Sequence, residues 1–375
     1  MGVRKLNKFL TLRDVIIKHN NIHEFIRTVK TNNNCKSGKI IIAIDFWLYA
    51  HKFAHSSKSN NILLGFWNQM IKFLTCGIIP LYVMDGSVPI EKHDKIEERN
   101  RKRLGYISKL KDIDEEINKY INISDIMNND NKTSSDSDTG SIDSNLELMY
   151  EKKEKLKKYV RRIKTVELYN IQKLFNIMGI PHIKAEYEAD ALCAKLYKNN
   201  LITSCLSDDM DMLALGCGST IKFFDGKIIE FNLDYIMNNL NFTQEQFIDM
   251  CILFGCDYLQ HPIRLECDDI YEMLNKHKSL LNVLESNEHS LFNMNNNNVK
   301  VIGEHYYRVK DIYMYSHERE IIPVELVNIK LNKINIDDVV SFIKKLKWLD
   351  SITHNTKNIE DDLLKINRYI QANTL

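Results

Sequence analysis

Three short apolar runs in this chain stop at aspartates, and that repeated ending constrains the fold more than any other feature. Ile40 to Ile44 stops at Asp45, and Ile79 to Met84 stops at Asp85. Leu201 to Leu206 is followed by Ser207-Asp208-Asp209-Met210-Asp211. Runs of this length and composition read as buried strands. In an open parallel sheet, ligands bind at the edge formed by the C-terminal ends of the strands. Three such strands would gather carboxylates at one edge, and a pocket of like charges is costly unless a cation neutralises it. Hard carboxylate oxygens at an open site suit Mg²⁺ or Mn²⁺. The expected fold is therefore α/β, with a central, mostly parallel sheet and an acidic cluster at its C-terminal edge. The expected chemistry is metal-dependent and acts on a phosphate ester.

The remaining composition narrows the class without naming a partner. The 375 residues allow one large domain or two smaller ones, and 44% hydrophobic with 27% charged is ordinary for a soluble protein. Net charge is +1, so any polyanion must be held by local basic patches. The eight cysteines are scattered, with no CxxC pair and no zinc-like Cys/His spacing. Cys193, Cys205 and Cys251 sit in apolar contexts and read as buried thiols in a reducing compartment. The chain opens without a signal-peptide core and has no run of 18 apolar residues, so no membrane association is expected.

Basic patches follow the second strand. Residues 92–111 carry eight Lys or Arg against three acids, a net +5, with Lys92, Arg99 and Arg103 on one helix face. Such a run is ordinarily a solvated face. Directly after a strand-end aspartate it is also placed to hold a phosphate and its developing charge. Residues 122–145 are polar and aperiodic and read as a disordered loop. Residues 151–164 hold eight Lys or Arg against Glu151 and Glu154, and read as a second basic helix with Leu156, Val160 and Ile163 on its apolar face. Two basic helices around a polar loop suggest a mobile insertion over the pocket; the plain alternative is an exposed hairpin with no role.

A helix over 166–179 ends at Gly179 before Pro181, and Glu186-Tyr187-Glu188-Ala189-Asp190 opens another with acids at its start. On a regular helix Glu186 faces Asp190 and Glu188 does not. Spacing therefore leaves open which pair enters the site. Residues 220–224 and 227–231 flank Asp225-Gly226 as a hairpin, and 243–254 form a helix ending at Phe254-Gly255-Cys256-Asp257-Tyr258. Beyond Asp257 the pattern weakens to helices at about 268–285 and 336–348, with His277 and Lys278 at a surface helix end.

Several blocks, taken together, resemble a known family. Gly2, Ile44-Asp45, Tyr82-Val83-Met84-Asp85-Gly86 with Pro89, Met178-Gly179-Ile180-Pro181, Glu188-Ala189-Asp190-Ala191, Asp208-Asp209-Met210-Asp211 and Leu253-Phe254-Gly255-Cys256-Asp257-Tyr258 occur in the order found in the flap endonuclease / XPG family of structure-specific 5′ nucleases. The Asn-rich sequence and long insertion resemble versions encoded by large DNA viruses. The resemblance implies a PIN-like 5′-nuclease fold with a helical arch insertion and a helical C-terminal part. The corresponding regions are an N-terminal nuclease region (1–104), the arch-like insertion (105–165), an internal nuclease region (166–259) and a helical C-terminal region (260–375).

The resemblance also implies that Asp45, Asp85, Glu188, Asp190, Asp209, Asp211 and Asp257 bind two Mg²⁺ ions, which Mn²⁺ replaces. Asp45, Asp85, Glu188 and Asp190 would serve one ion and the other three acids the second. Lys92 and Arg99 fall on phosphate-contacting catalytic positions. Gly2, Arg103, Lys157, Arg161 and Arg162 are the expected DNA contacts, Gly2 as the small residue beside the site. Three departures stand out. Asp190 replaces the usual Glu, one methylene shorter. Pro262 to Asp269 lacks the glycines of the family's duplex-gripping helix–turn–helix and carries acids instead. Asn358 to Leu375 has no sliding-clamp box. The expected activity is Mg²⁺-dependent cleavage of flapped or branched DNA by a monomer, in replication, repair or recombination, in the nucleus or at a cytoplasmic viral replication site. The rival readings are a non-catalytic DNA-junction binder, an RNase of the related four-acid class and, more remotely, a phosphatase with an Asp-x-Asp nucleophile.

Overall fold

The computed structural model describes residues 2–3, 5–31, 38–55, 61–130, 139–259, 265–286, 296–346 and 356–372. The chain divides into two compact units, residues 1–90 with 165–375, and residues 91–164. The first unit starts with α1 (Leu6–Leu12), β1 (Ile17–His19), α2 (Ile22–Thr31), β2 (Ile40–Asp45), α3 (Phe46–Ala54), α4 (Ile62–Thr75) and β3 (Ile78–Met84). The second unit supplies α5 (His93–Asp130) and α6 (Thr139–Val160). The first unit resumes with α7 (Thr165–Met178), β4 (His182–Lys184), α8 (Ala189–Lys198), β5 (Ser204–Leu206), α9 (Asp211–Ala214), β6 (Ser219–Phe224) and β7 (Lys227–Asn232). It closes with α10 (Leu233–Leu240), α11 (Gln244–Phe254), α12 (Cys267–His277), α13 (Leu280–Glu285), α14 (Asn296–Arg319), α15 (Ile336–Lys345) and α16 (Thr356–Ala372). No helix among the described residues is long and apolar enough to cross a membrane.

The seven strands form one sheet in the order β1-β7-β6-β5-β2-β3-β4. From β6 to β4 neighbours run parallel, and β7 is antiparallel to both its partners. The expected mostly parallel α/β sheet is thus present, and β5, β2 and β3 lie side by side at its centre. β5 is shorter than the apolar run from Leu201; just before it, the Thr203 N–H donates to the Ile41 carbonyl at 2.8 Å and its hydroxyl accepts the Ile41 N–H at 3.2 Å. Pro80 is accommodated in β3 because β4 pairs only with residues 82–84, so the missing N–H has no ladder partner to lose on that side. The β6–β7 turn is Asp225-Gly226, both at positive φ (49° and 73°), as a two-residue hairpin requires.

Side-chain alternation sorts the central strands onto two faces. Ile41, Ala43, Ile79, Leu81 and Val83 join the core that includes α8, α9 and α11. Tyr82 faces the other way, into an aromatic cluster with Phe46, Phe66 and Phe175; its ring stacks on Phe175 at 4.3 Å. Phe66 is fully buried and lies 5.1–5.6 Å from Phe46, Phe53, Tyr82 and Phe175. Phe66→Ala is therefore expected to destabilise the fold by about 3–5 kcal/mol, read as a lower denaturant midpoint; an unchanged midpoint would mean the cluster does not support the sheet. Four buried polar groups bond across β1, β7, β6 and β5: His19 with Glu230 at 2.8 Å, Ser219 with Glu230 at 2.9 Å, and Ser204 with Ser219 at 2.8 Å. Cys193, Cys205 and Cys251 are buried, as expected, and remain thiols.

Three sequence expectations are corrected. Residues 122–130 and 139–145, read as disordered, are helical, while 131–138 lie outside the described residues. No Pro or Gly interrupts 122–130, and extending a helix costs far less than nucleating one. The second basic helix ends at Val160, so Arg161, Arg162 and Lys164 follow it rather than belong to it. The helix expected over 268–285 is two helices, broken where Lys278 adopts a φ of 68° and Ser279 caps α13. Helices α14 and α16 lie in the C-terminal part expected to be helical, where the sequence pattern set no bounds for them.

In the second unit α5 and α6 pair antiparallel. Tyr106 stacks on Tyr159 at 4.7 Å, Asp114 pairs with Lys153 at 2.5 Å, and Ile113 and Ile117 are buried. Hydrogen bonds from Lys102 and Lys95 hold the Glu98 carboxyl down to about 2, which offsets part of the positive charge of α5.

Candidate metal centre

The acids of the first unit are delivered by strand ends and by the first turn of α8. Asp45 ends β2, and its side chain caps α3 by accepting the Leu48 N–H at 3.1 Å. Asp85 follows β3, and its carboxylate accepts the Ala189 N–H at 2.9 Å, which ties it to the start of α8. The segment before α8 is held against the β3 end by Gly86 N–H to Tyr187 O at 2.7 Å and Ser87 N–H to Glu186 O at 3.0 Å. A Cβ on Gly86 would strike the carbonyls of Ala185 and Glu186. Glu188 is the extended residue before α8 and is buried, Asp190 is half-buried in the first turn, and Glu186 is exposed. The helix starts at Ala189, so regular-helix spacing does not govern residues 186–188.

The acids after β5 are sorted by a tight turn. Asp208 turns to Lys52, with 2.5 Å between the charged atoms. The Asp209 N–H donates to Ser207 Oγ at 3.1 Å, and Asp209 Oδ1 accepts the Asp211 N–H at 3.0 Å. Asp211 is 1% exposed and accepts the Tyr313 hydroxyl at 2.8 Å. Burial, and then the charge of Asp211, push the Tyr313 phenol well above its ordinary value, so it remains a donor. Asp257 and Tyr258 form the two-residue tip of a turn closed by a Cys256–Leu259 bridge. Tyr258 donates to Glu188 at 2.9 Å, and its ring meets that of Tyr313 edge-on at 5.4 Å. Glu188 and Asp211 are thus linked through two phenols. Gly2 is buried at a φ of 72°, and a Cβ there would overlap Asp209 Oδ1 and come within 2.8 Å of the Asp211 nitrogen.

Asp45, Asp85, Glu188, Asp190, Asp209, Asp211 and Asp257 therefore all belong to the first unit, with Gly2 against two of them. Lys92, Arg99, Arg103, Lys157, Arg161 and Arg162 belong to the second. Arg99, Lys157 and Arg162 are exposed, and Lys157 pairs with Glu154 at 2.5 Å. Among the described residues, no three His, Cys, Asp or Glu side chains already converge in metal-holding geometry. The donor chemistry nonetheless fits a hard divalent ion. The anchoring bonds to Asp45, Asp85, Glu188, Asp209 and Asp211 each engage a carboxylate, and a carboxylate has about four lone-pair sites to offer. The bonds orient these carboxylates while leaving further oxygen lone pairs suited to Mg²⁺.

Sequence reasoning assigned no role to Tyr258, Tyr313 or Glu320. Tyr258 stood beside Asp257, which was a usable signal. Tyr313 and Glu320 lie in a stretch without a readable pattern. Glu320 is 1% exposed and accepts backbone N–H groups from Glu186, Tyr187 and Glu188 at 2.8, 3.1 and 2.9 Å. Burial pushes its carboxyl above the ordinary range despite these bonds, and Glu188 adds to the rise. Two of the three acids of Pro262 to Asp269 have basic partners, although 260–264 lie outside the described residues. Glu266 pairs with Lys5 at 3.8 Å and Asp268 with Arg13 at 2.8 Å, joining α12 to α1.

Comparison with known proteins matches two regions of the chain. The chain matches the XPG N-terminal domain over residues 1–105 and the XPG I-region over 179–257. It is 27% identical over 294 residues to Flap endonuclease 1 of Heterostelium pallidum, covering 76% of this chain and 68% of that protein. It is 27% identical over 312 residues to "Probable RAD2-like endonuclease 369L" of Invertebrate iridescent virus 6, covering 76% and 73%. Among solved structures, the catalytic core of Rad2 with a DNA substrate superposes with a TM-score of 0.60 at 18% identity, over 97% of this chain and 99% of that one, a likeness of fold. With the strand-end acids, the α8 acids and the Asp257 turn all falling inside the two matched regions, the chain belongs to the XPG/flap endonuclease family of nucleases.

Proposed function

We propose that this nuclease hydrolyses phosphodiester bonds in 5′-flapped or otherwise branched DNA, using Mg²⁺ held by the seven acids of the first unit. The observation that supports it most is the adjacency of β5, β2 and β3, which brings Asp209 and Asp211, Asp45, and Asp85 to one sheet edge. In the proposed arrangement Asp45, Asp85, Glu188 and Asp190 hold one ion, and Asp209, Asp211 and Asp257 a second; Mn²⁺ substitutes. Bound there, the ions supply an activated water and charge stabilisation of the leaving oxygen for an in-line displacement. The chain's own residues do the rest. Tyr258 and Tyr313 hold Glu188 and Asp211 in place by donating to them. Gly2 allows the backbone to lie against Asp209. The basic residues of the second unit, Lys92, Arg99, Arg103, Lys157, Arg161 and Arg162, contact phosphates.

Selectivity in this reading comes from junction shape, because phosphate contacts carry no base information. The family's replication, repair or recombination setting is the proposed context. An end-labelled 5′-flap duplex tests the reading. Cleavage near the junction with Mg²⁺ and none with EDTA is the expected result. Junction binding without cleavage in Mg²⁺ or Mn²⁺ would replace the nuclease reading with a binding module. Binding is also expected to weaken linearly in log affinity against log salt, with a slope set by the number of phosphates neutralised. A flat salt response would remove these basic residues of the second unit from the interface.

A further inference from the structure

We infer that Glu320 is a positioning residue for the metal-binding carboxylates Glu188 and Asp190. The inference rests on the proposed metal-dependent reading of the acidic edge.

Four consecutive backbone N–H groups, residues 186–189, precede or open α8. A helix start leaves such donors without partners of its own. Glu188 stands at the cap position but makes no side-chain cap bond to the helix. Instead the amides of 186, 187 and 188 converge on the buried Glu320 carboxylate, and that of 189 goes to Asp85. The capping anion thus comes from a segment more than 130 positions away in sequence. This frees the Glu188 side chain to accept from Tyr258, the neighbour of Asp257. Charged acceptors on backbone amides are roughly twice as strong as neutral ones, so three of them fix the local backbone firmly.

Glu320 is itself held. It directly follows α14, and Lys195 Nζ of α8 donates to the Glu320 carbonyl at 2.6 Å and the Glu318 carbonyl at 3.2 Å. Tyr313, two turns earlier on α14, donates to Asp211. One helix end therefore touches both acid-bearing segments, 186–190 and 209–211. Their separation, on which any ion bridging them would depend, is set from outside the regions that carry the acids.

Partners that orient metal ligands typically contribute 10–100-fold in metal affinity. Glu320→Ala should therefore weaken Mn²⁺ binding by about 10–100-fold, measured without DNA by the free-ion electron paramagnetic resonance signal. The Mg²⁺ concentration for half-maximal flap cleavage should rise in parallel, with the maximal rate largely regained at high Mg²⁺. Glu320→Gln keeps the side-chain volume and one acceptor oxygen, so it should show a shift in the same direction but smaller. Tyr306→Phe provides the comparison for a merely structural role. It removes a different anchor of α14, the Tyr306 hydroxyl bond to Asp249 at 2.8 Å, and should lower the melting midpoint without changing Mn²⁺ affinity. Wild-type Mn²⁺ affinity in both Glu320 variants would overturn the inference while leaving the nuclease reading intact. Equal shifts in Glu320→Gln and Tyr306→Phe would also overturn it, as a general loosening of α14. Absence of Mn²⁺ binding by the wild-type chain would bring down the metal-dependent reading and this inference with it.

Discussion

Asp209→Asn is expected to lower Mg²⁺-dependent cleavage of a 5′-flap duplex on the order of 10³-fold while raising the melting temperature of the metal-free protein. The loss follows from removing a charged ligand where several kcal/mol of transition-state stabilisation are at stake, at 1.36 kcal/mol per tenfold in rate. The gain follows from relieving repulsion among carboxylates gathered at one edge. Asn retains an acceptor oxygen, so the turn-closing bond from the Asp211 N–H at 3.0 Å can persist. The two signs together separate this outcome from simple unfolding, which would lower both activity and melting temperature. The wild type should gain thermal stability on adding Mg²⁺, and the variant should gain less, because an ion stabilises only the state that binds it. Asp208→Asn is the neighbouring control. Its carboxylate is engaged by Lys52, half-exposed on both sides, and such a pair contributes at most about 1 kcal/mol. Near-wild-type cleavage is expected there. Loss of cleavage in Asp208→Asn but not in Asp209→Asn would mean that the turn has been assigned in the wrong register.

The contrast between Asp208 and Asp209 marks how far the sequence could be read. Strand-end aspartates and a parallel sheet were legible because burial of β2 and β3 on both faces leaves unbroken apolar runs, and the ends of such runs are visible. The hairpin was legible because Asp-Gly is a local signal for its turn. Where the α8 helix starts was not legible, since the amides before Ala189 and that of Ala189 bond to remote groups, Glu320 and Asp85. The roles of Tyr313 and Glu320 could not be read for the same reason: they are contacts made across more than 100 residues, and nothing in the surrounding Tyr- and His-rich helix announces them. The 122–145 stretch failed differently. Its polar composition suggested disorder, but composition does not stop a helix already under way, and no breaker occurs before residue 131. The partners of Glu266 and Asp268, Lys5 and Arg13 on or beside α1, were not legible either, being contacts made across more than 250 residues.

Gly2→Ala is expected to reduce cleavage by about 100-fold although glycine contributes no functional group, because displacing a catalytic carboxylate by about 1 Å has an effect of that size. The added methyl cannot be accommodated. It would overlap Asp209 Oδ1, and the alternatives on either side are the Asp211 nitrogen at 2.8 Å and the Asp211 carboxyl carbon at 2.9 Å. Asp209 is the group able to move, and moving it breaks the bond that closes the Asp209–Asp211 turn. A second cost comes from the backbone: the φ of 72° is left-handed, which disfavours any L side chain by about 1–2 kcal/mol. Gly226→Ala separates the two effects. Gly226 has a φ of 73°, but a Cβ there meets nothing within 4 Å. Gly226→Ala should therefore lose only the backbone share of stability and Gly2→Ala more, read as a larger shift in denaturant midpoint. Only Gly2→Ala should lose cleavage and Mn²⁺ affinity, with junction binding in EDTA retained. Equal cleavage by the two variants would show that Asp209 tolerates displacement, and would remove it from the set of groups on which the reaction depends.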